Sequence, residues 1–133
     1  MERHFHEELK QLKQKLLKMG AMAEEMIQKS VHGLLSRNEK LAKQVLDLEK
    51  EMNRLEIEID DFGHSLLALD QPMAVDLRLV IMILKINTDL ERIGDHAVNI
   101  AERAFILLRE SLIEKNVHLT EMAQAAMKML SDA

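Results

Sequence analysis

Apolar positions recur alternately three and four residues apart along nearly the whole chain, the spacing that gathers them on one face of an α-helix. Three long runs carry the pattern. The first extends from about His4 to Leu35, with the seam Phe5, Leu9, Leu12, Leu16, Met19, Ala23, Met26 and Ser30. Gly33 and Ser36-Arg37-Asn38 mark its end, and Asn38 suits the N-cap of the next helix because its side-chain oxygen can accept from first-turn amides. The second run, about Glu39 to Leu69, has the most regular seam: Leu41, Val45, Leu48, Met52, Leu55, Ile59, Phe62, Leu66 and Leu69. Asp70-Gln71-Pro72 interrupts it, since the residue before a proline is pushed out of the helical region while proline itself suits a new first turn. The third run, Pro72 to about Leu108, places Leu79, Ile83, Ile86, Leu90, Ile93, Ala97, Ile100, Ala104 and Leu107 on one face. Roughly opposite, the row Ile81, Leu84, Thr88, Glu91, Asp95, Val98 and Glu102 begins apolar and turns acidic halfway.

After about Glu110 the periodicity weakens, and Asn116-Val117-His118 reads as a turn. A fourth helix is expected from Leu119 or Thr120, with Thr120 as N-cap and Met122, Ala126, Met129 and Leu130 on one side. A helix this short is marginal alone, so its apolar side needs a neighbour in the molecule or on another chain.

Composition fixes the class. With 133 residues the chain is long enough for one domain with a real core, and a single proline, four glycines and 2% aromatics suit an all-α protein. Helices of about 30 to 40 residues are about 45 to 60 Å long at 1.5 Å per residue, and links of a few residues force neighbours antiparallel. The expected fold is therefore an elongated antiparallel three-helix bundle plus the start of a fourth helix. The absence of cysteine removes disulfides and thiolate metal sites. A net charge of -5, without a basic stripe or stacking aromatics, argues against a nucleic-acid binder. Lys10, Lys13, Lys15 and Lys18 read as a solvated face. No apolar run approaches the ~18 residues of a membrane span, and the charged N-terminus lacks a signal-peptide core. The expectation is a cytoplasmic protein.

The chemistry lies in the acidic rows. Glu49, Asn53, Glu56 and Asp60 share one flank of the second helix. Counting outward from the turn at Pro72 brings the region of Glu49 and Asn53 level with Glu91 and Asp95 on the third helix. Like charges drawn together repel, and desolvation sharpens the penalty. A cation removes it. Carboxylates with an amide oxygen form a hard donor set suited to Mg²⁺, Mn²⁺, Ca²⁺ or oxidised iron. Equally, Arg92 can pair with Asp89 and Asp95 and leave a solvated face with no ion. His96 points away from Asp95 around the helix, Asp61-x-x-His64 is an isolated pair, and the Glu-x-x-His pairs of di-iron carboxylate proteins are missing. With no nucleophile-base arrangement and no glycine-rich phosphate loop either, the chain does not read as an enzyme.

Two motifs then resemble a known family. Gln71-Pro72-Met73-Ala74-Val75-Asp76-Leu77-Arg78-Leu79-Val80, followed by Leu90-Glu91-Arg92-Ile93-Gly94-Asp95 and Asn99-Ile100, resembles the PhoU family of phosphate-signalling regulators. Ala42-x-x-Val45 with Glu49, Asn53 and Glu56 is similar to that family's second helix. The resemblance implies a cytoplasmic negative regulator of phosphate uptake and of the phosphate-starvation response, working between the ATPase of a phosphate ABC transporter and a membrane sensor histidine kinase. It implies tandem three-helix repeats, with iron or zinc on carboxylates. Carried over by position, Glu91 and Asp95 match the metal motif, Glu49, Asn53 and Glu56 match the facing positions, and Asp76 and Arg78 fall on a partner surface or serve helix initiation and a surface ion pair. On that basis residues 1–116 form a first repeat, and residues 117–133 a connection and the truncated first helix of a second. A homodimer that exchanges the fourth segment would cover its apolar side. The alternative is a structural helical interaction module without a metal-dependent role.

Overall fold

A computed structural model of the chain describes residues 2–69, 74–109 and 117–132. It contains four helices: α1 (Glu2–Leu35), α2 (Glu39–Leu69), α3 (Ala74–Arg109) and α4 (Val117–Asp132). The first three run up, down and up, and each packs along the other two, while among the described residues α4 lies against α1 alone. The all-α antiparallel bundle expected from the periodicity is the observed fold. Pro72, given as the start of the third helix, lies outside the described residues. The fourth helix begins at Val117, so Val117 and His118 are helical and Thr120 sits within the first turns rather than at the cap.

The α1–α2 turn shows how a short link is specified. The Asn38 amide donates to the Gly33 carbonyl at 2.9 Å, a six-residue closure around Arg37, which adopts a left-handed φ of 55°. Asn38 then caps α2, its Oδ1 accepting from the amides of Lys40 at 3.1 Å and Leu41 at 3.3 Å. Gly33 is not the left-handed residue. It lies in the last turn of α1, where a Cβ would stand 3.2 Å from both the Ala42 nitrogen and the Asn38 carbonyl oxygen. The glycine is there for close approach of α2, and the arginine carries the unusual dihedral.

The α1 seam is buried as expected, except that Leu16 is half-buried. Ser30, fully buried, satisfies its hydroxyl by donating to the Ile27 carbonyl at 2.9 Å. On α2 the core positions are Ala42, Val45, Met52, Leu55, Ile59 and Leu66. The α3 seam differs from the predicted one. Ile86 is exposed, and Leu79, Leu90, Ile93, Ile100 and Leu107 are only half-buried. The residues facing inward are Val80, Ile83, Asn87, Gly94, Ala97, Val98, Ala101 and Ala104. A helix seated in the groove between two others buries an arc spanning both, and the centre of that arc is where small side chains permit the closest approach. Gly94, Ala97, Ala101 and Ala104 supply that centre, turning α3 by about one residue from the seam its larger side chains suggest.

Gly94 sets the distance between α2 and α3. A Cβ at this position would overlap the sulfur of Met52, itself buried in the core. A Cβ on Gly63 would stand 2.6 Å from Leu84 Cδ2, but that is the free end of a half-buried side chain and can give way.

The fourth helix divides its apolar residues. Ala123 is buried and Met127 and Leu130 half-buried, whereas Met122, Ala126 and Met129 face outward. Of the predicted stripe only Leu130 turns inward, because the face centred one residue further on is the one that meets α1.

The Gly94–Met52 contact predicts a thermodynamic coupling. Met52→Ala alone should destabilise by about 2 to 5 kcal/mol through the cavity it opens. Gly94→Ala alone should cost about 1 to 3 kcal/mol of overpacking, offset by roughly 1 kcal/mol of helix propensity. In the double variant the new methyl occupies part of the void, so urea unfolding should show a loss smaller than the sum of the single losses by at least about 0.5 kcal/mol. Strict additivity would mean that the two residues do not set the helix spacing.

Candidate functional site

The close approach at Gly94 fixes which side chains face one another across α2 and α3. Met52 lies opposite Gly94, and the Asn87 amide nitrogen donates to the Glu56 carbonyl at 3.0 Å. Glu91 therefore stands level with the turn between Met52 and Glu56, a few residues along from the register counted from the turn. The carboxylates expected to meet do influence one another. Glu91 has its pKa raised, first by burial and then by the negative charges of Asp95, Glu56 and Glu49. Glu56 is raised as well, by burial and then by Asp60 and Asp61, so the negative field continues down α2.

The five residues are unevenly placed. Glu49, Glu56 and Glu91 are half-buried, whereas Asn53 and Asp95 are exposed on the rim. Among the described residues no three His, Cys, Asp or Glu side chains converge closely enough, as they stand, to hold a metal ion. The donor chemistry nonetheless fits a hard cation. Glu91 Oε2 is enclosed and accepts no hydrogen bond, the condition a cation or a donor would relieve. The rival neutraliser is turned elsewhere: Arg92 is directed at Asp89, at 4.0 Å, with both side chains more than half exposed. Among the described residues none of Glu49, Glu56, Glu91 and Asp95 has a basic partner.

The remaining candidates separate. Asp76 lies in the first turn of α3, where its charge suits the helix dipole, and its Oδ2 is 3.6 Å from His6 Nε2 on α1. That contact joins distant parts of the chain and has no local sequence signal. Arg78 is exposed, and around it Val75, Leu77, Ile81 and Met82 form an apolar outer surface. His64 Nδ1 lies 2.7 Å from the Asp60 carbonyl and 3.5 Å from the Asp60 carboxylate, so its partner is one turn back rather than Asp61. Lys15 is not only solvated surface, because it ties α1 to Glu58 of α2 and lowers the pKa of that carboxylate.

Asn87 is the residue that sequence reasoning passed over. It is 1% exposed, stands one turn before Glu91 on the same face, and leaves Oδ1 without a hydrogen-bond partner. The apolar run that precedes it conceals it. The spacing from Val80 and Ile83 through to Gly94, Ala97 and Ala101 is the signal that places it inside.

The chain is an all-α helical bundle with half-buried carboxylates between two of its helices, and no helix among the described residues is long and apolar enough to cross a membrane. The comparisons with known proteins give this bundle a family. The PhoU domain model matches residues 16–104, and the chain belongs to the PhoU family. It is 36% identical over 126 residues to the phosphate-specific transport system accessory protein PhoU homolog of Aquifex aeolicus, covering 95% of this chain and 57% of that protein. The Pseudomonas aeruginosa homolog of the same description is 36% identical over 130 residues, covering 97% and 54%. The crystal structure of PhoU from Pseudomonas aeruginosa superposes with a TM-score of 0.92 over 96% of this chain and 61% of that one. For the phosphate transport system regulatory protein PhoU from Streptococcus pneumoniae the TM-score is 0.84, at 32% identity, over 96% and 60%. The chain thus spans little more than half the length of the curated relatives it matches.

Raised carboxylate pKa values give the site a pH signature. Because Glu91 and Glu56 are held above the ordinary carboxylate range, the fold favours their neutral forms. Their contribution is fully present below the unfolded pKa and is lost as pH rises through the folded values. Metal-free Glu91→Gln, which keeps the shape without the charge, should melt above wild type at pH 7.5, with the gap closing as pH falls toward 5. Circular-dichroism melts across that range check it, and a gap independent of pH would show that Glu91 carries no burial penalty.

Proposed function

We propose that the chain acts as a negative regulator of phosphate uptake and of phosphate-starvation signalling, as a cytoplasmic adaptor rather than a catalyst. Membership of the PhoU family is the observation that carries this reading. The relatives named as phosphate-specific transport system accessory proteins supply the context. Its partners are the ATPase of a phosphate ABC transporter and a membrane sensor histidine kinase, and it works as a homodimer. The outer surface of early α3 supports a docking role, since Arg78 and Asp76 lie among exposed Val75, Leu77, Ile81 and Met82, an apolar patch edged by charge.

The same reading gives the groove between α2 and α3 a metal-dependent part. Glu91, Asp95, Glu49 and Glu56 would hold the ion, with Asn53 at the rim. A bound cation, iron or zinc by family or Mg²⁺, Mn²⁺ or Ca²⁺ by donor chemistry, supplies positive charge that cancels the repulsion among these carboxylates. Glu91 then anchors α3 and Glu56 anchors α2 in one arrangement, and Asp95 presents the occupied state at the surface. A second reading, a structural helical module that needs no ion, is favoured by the lack, among the described residues, of three converging His, Cys, Asp or Glu ligands with the side chains as they stand.

A bacterial host lacking its own PhoU protein, with a phosphate-starvation reporter, tests the regulator. Expression of this chain should restore repression in high phosphate, and Glu91→Gln and Asp95→Asn should weaken it. A folded, expressed chain that leaves the reporter fully active overturns the regulatory reading. Repression that survives in both variants, with no metal in elemental analysis and melts unchanged by chelator, favours the structural module.

A further inference from the structure

Two buried acceptors face the same interface without a donor. Asn87 Oδ1 and Glu91 Oε2 are both enclosed and unpartnered, and their residues stand four apart on the face of α3 that meets α2. The orientation of the Asn87 carboxamide is set by its other end. Its nitrogen donates to the Glu56 carbonyl at 3.0 Å, and exchanging nitrogen for oxygen would set two carbonyl oxygens against each other. The oxygen is therefore the free atom. A buried acceptor left unmet costs free energy comparable to a lost hydrogen bond, and more when the group is a carboxylate.

We propose that Asn87 Oδ1 and Glu91 Oε2 are ligands of one hard divalent cation, held at the inner edge of the groove between α2 and α3. This rests on the metal-dependent reading above and extends it inward to a residue outside the acidic set. Asn87, Glu91 and Asp95 then form one ladder of oxygen donors at four-residue spacing, running from buried through half-buried to exposed. The innermost rung is a neutral amide, which is cheaper to bury than a further carboxylate in a field that already raises Glu91. A neutral oxygen beside carboxylates, with no nitrogen or sulfur donor, selects Mn²⁺ or Mg²⁺ over Zn²⁺. Histidine, cysteine and carboxylate groupings alone do not reveal such a site, because its inner ligand is an asparagine.

The test is Mn²⁺ binding to metal-stripped full chain, read by the electron paramagnetic resonance of free Mn²⁺ and by calorimetry, with helix content followed in parallel. Wild type should bind Mn²⁺, Asn87→Leu should weaken it by about tenfold or more, and Asn87→Asp, which keeps an oxygen in place, should retain it. If Asn87→Leu does not fold, Asn87→Ala carries the same expectation. Wild-type affinity in a folded Asn87→Leu overturns the inner site and leaves the outer carboxylate reading standing, with the two oxygens then bridged by a trapped water. Uptake of Zn²⁺ but not Mn²⁺ by wild type likewise overturns the inner site alone. Uptake of neither ion overturns both.

Discussion

The distance between α2 and α3 governs the rest of the molecule, and a single missing methyl group governs that distance. With hydrogen at Gly94, α3 settles onto the Met52 sulfur and its small-residue stripe becomes the centre of the buried arc. That choice of face carries Asn87 and Glu91 inward and leaves Ile86 outside. The bundle accepts polar atoms in its interface and apolar ones on its surface because backbone proximity over several turns outweighs the local placement of two side chains. The candidate site thus follows from tight packing, and its electrostatic character from the partial burial of Glu56 and Glu91 beside other carboxylates.

Charge is distributed in keeping with this. Cations on α1 meet α2 from the other side, where Lys15 binds Glu58, and the arginine nearest the cluster is drawn outward to Asp89. The interface of α2 and α3 is left with negative charge and partial burial together, a combination that costs stability. Neutralising that charge, by protonation or by any bound cation, would therefore raise the stability of the bundle.

Much of the fold was legible because its signal is periodic and local. The α1 seam, the Asn38 cap and the bounds of α2 all follow from side chains within a few residues of one another. The buried face of α3 lies about one position from the seam its larger apolar residues suggest, since a close-packed helix is steered by its smallest residues. The left-handed conformation of Arg37 has no residue-type signal, since arginine rarely adopts it. Within the site, the acidic rows and their mutual influence were legible from spacing and a count across the turn. Asn87 is marked only by its place in the spacing of small and apolar residues along α3, and its bond to Glu56, like the contact of Asp76 with His6, has no local signal because the partner is remote in the chain. The beginning of α4 at Val117 was obscured by Asn116 and His118, residues that elsewhere favour turns.

Among the described residues α4 is attached to α1 alone, and this has a dynamic consequence. Among the described side chains, separating α4 from α1 exposes chiefly Ala123, Met127 and Leu130 and breaks no contact among the three long helices. Its opening is therefore a cheaper event than unfolding of the bundle, and the two belong to different cooperative units. Amide protons of α4 will exchange with solvent while those around Met52 and Gly94 stay protected, so the chain carries a readily detached arm on a long-lived body.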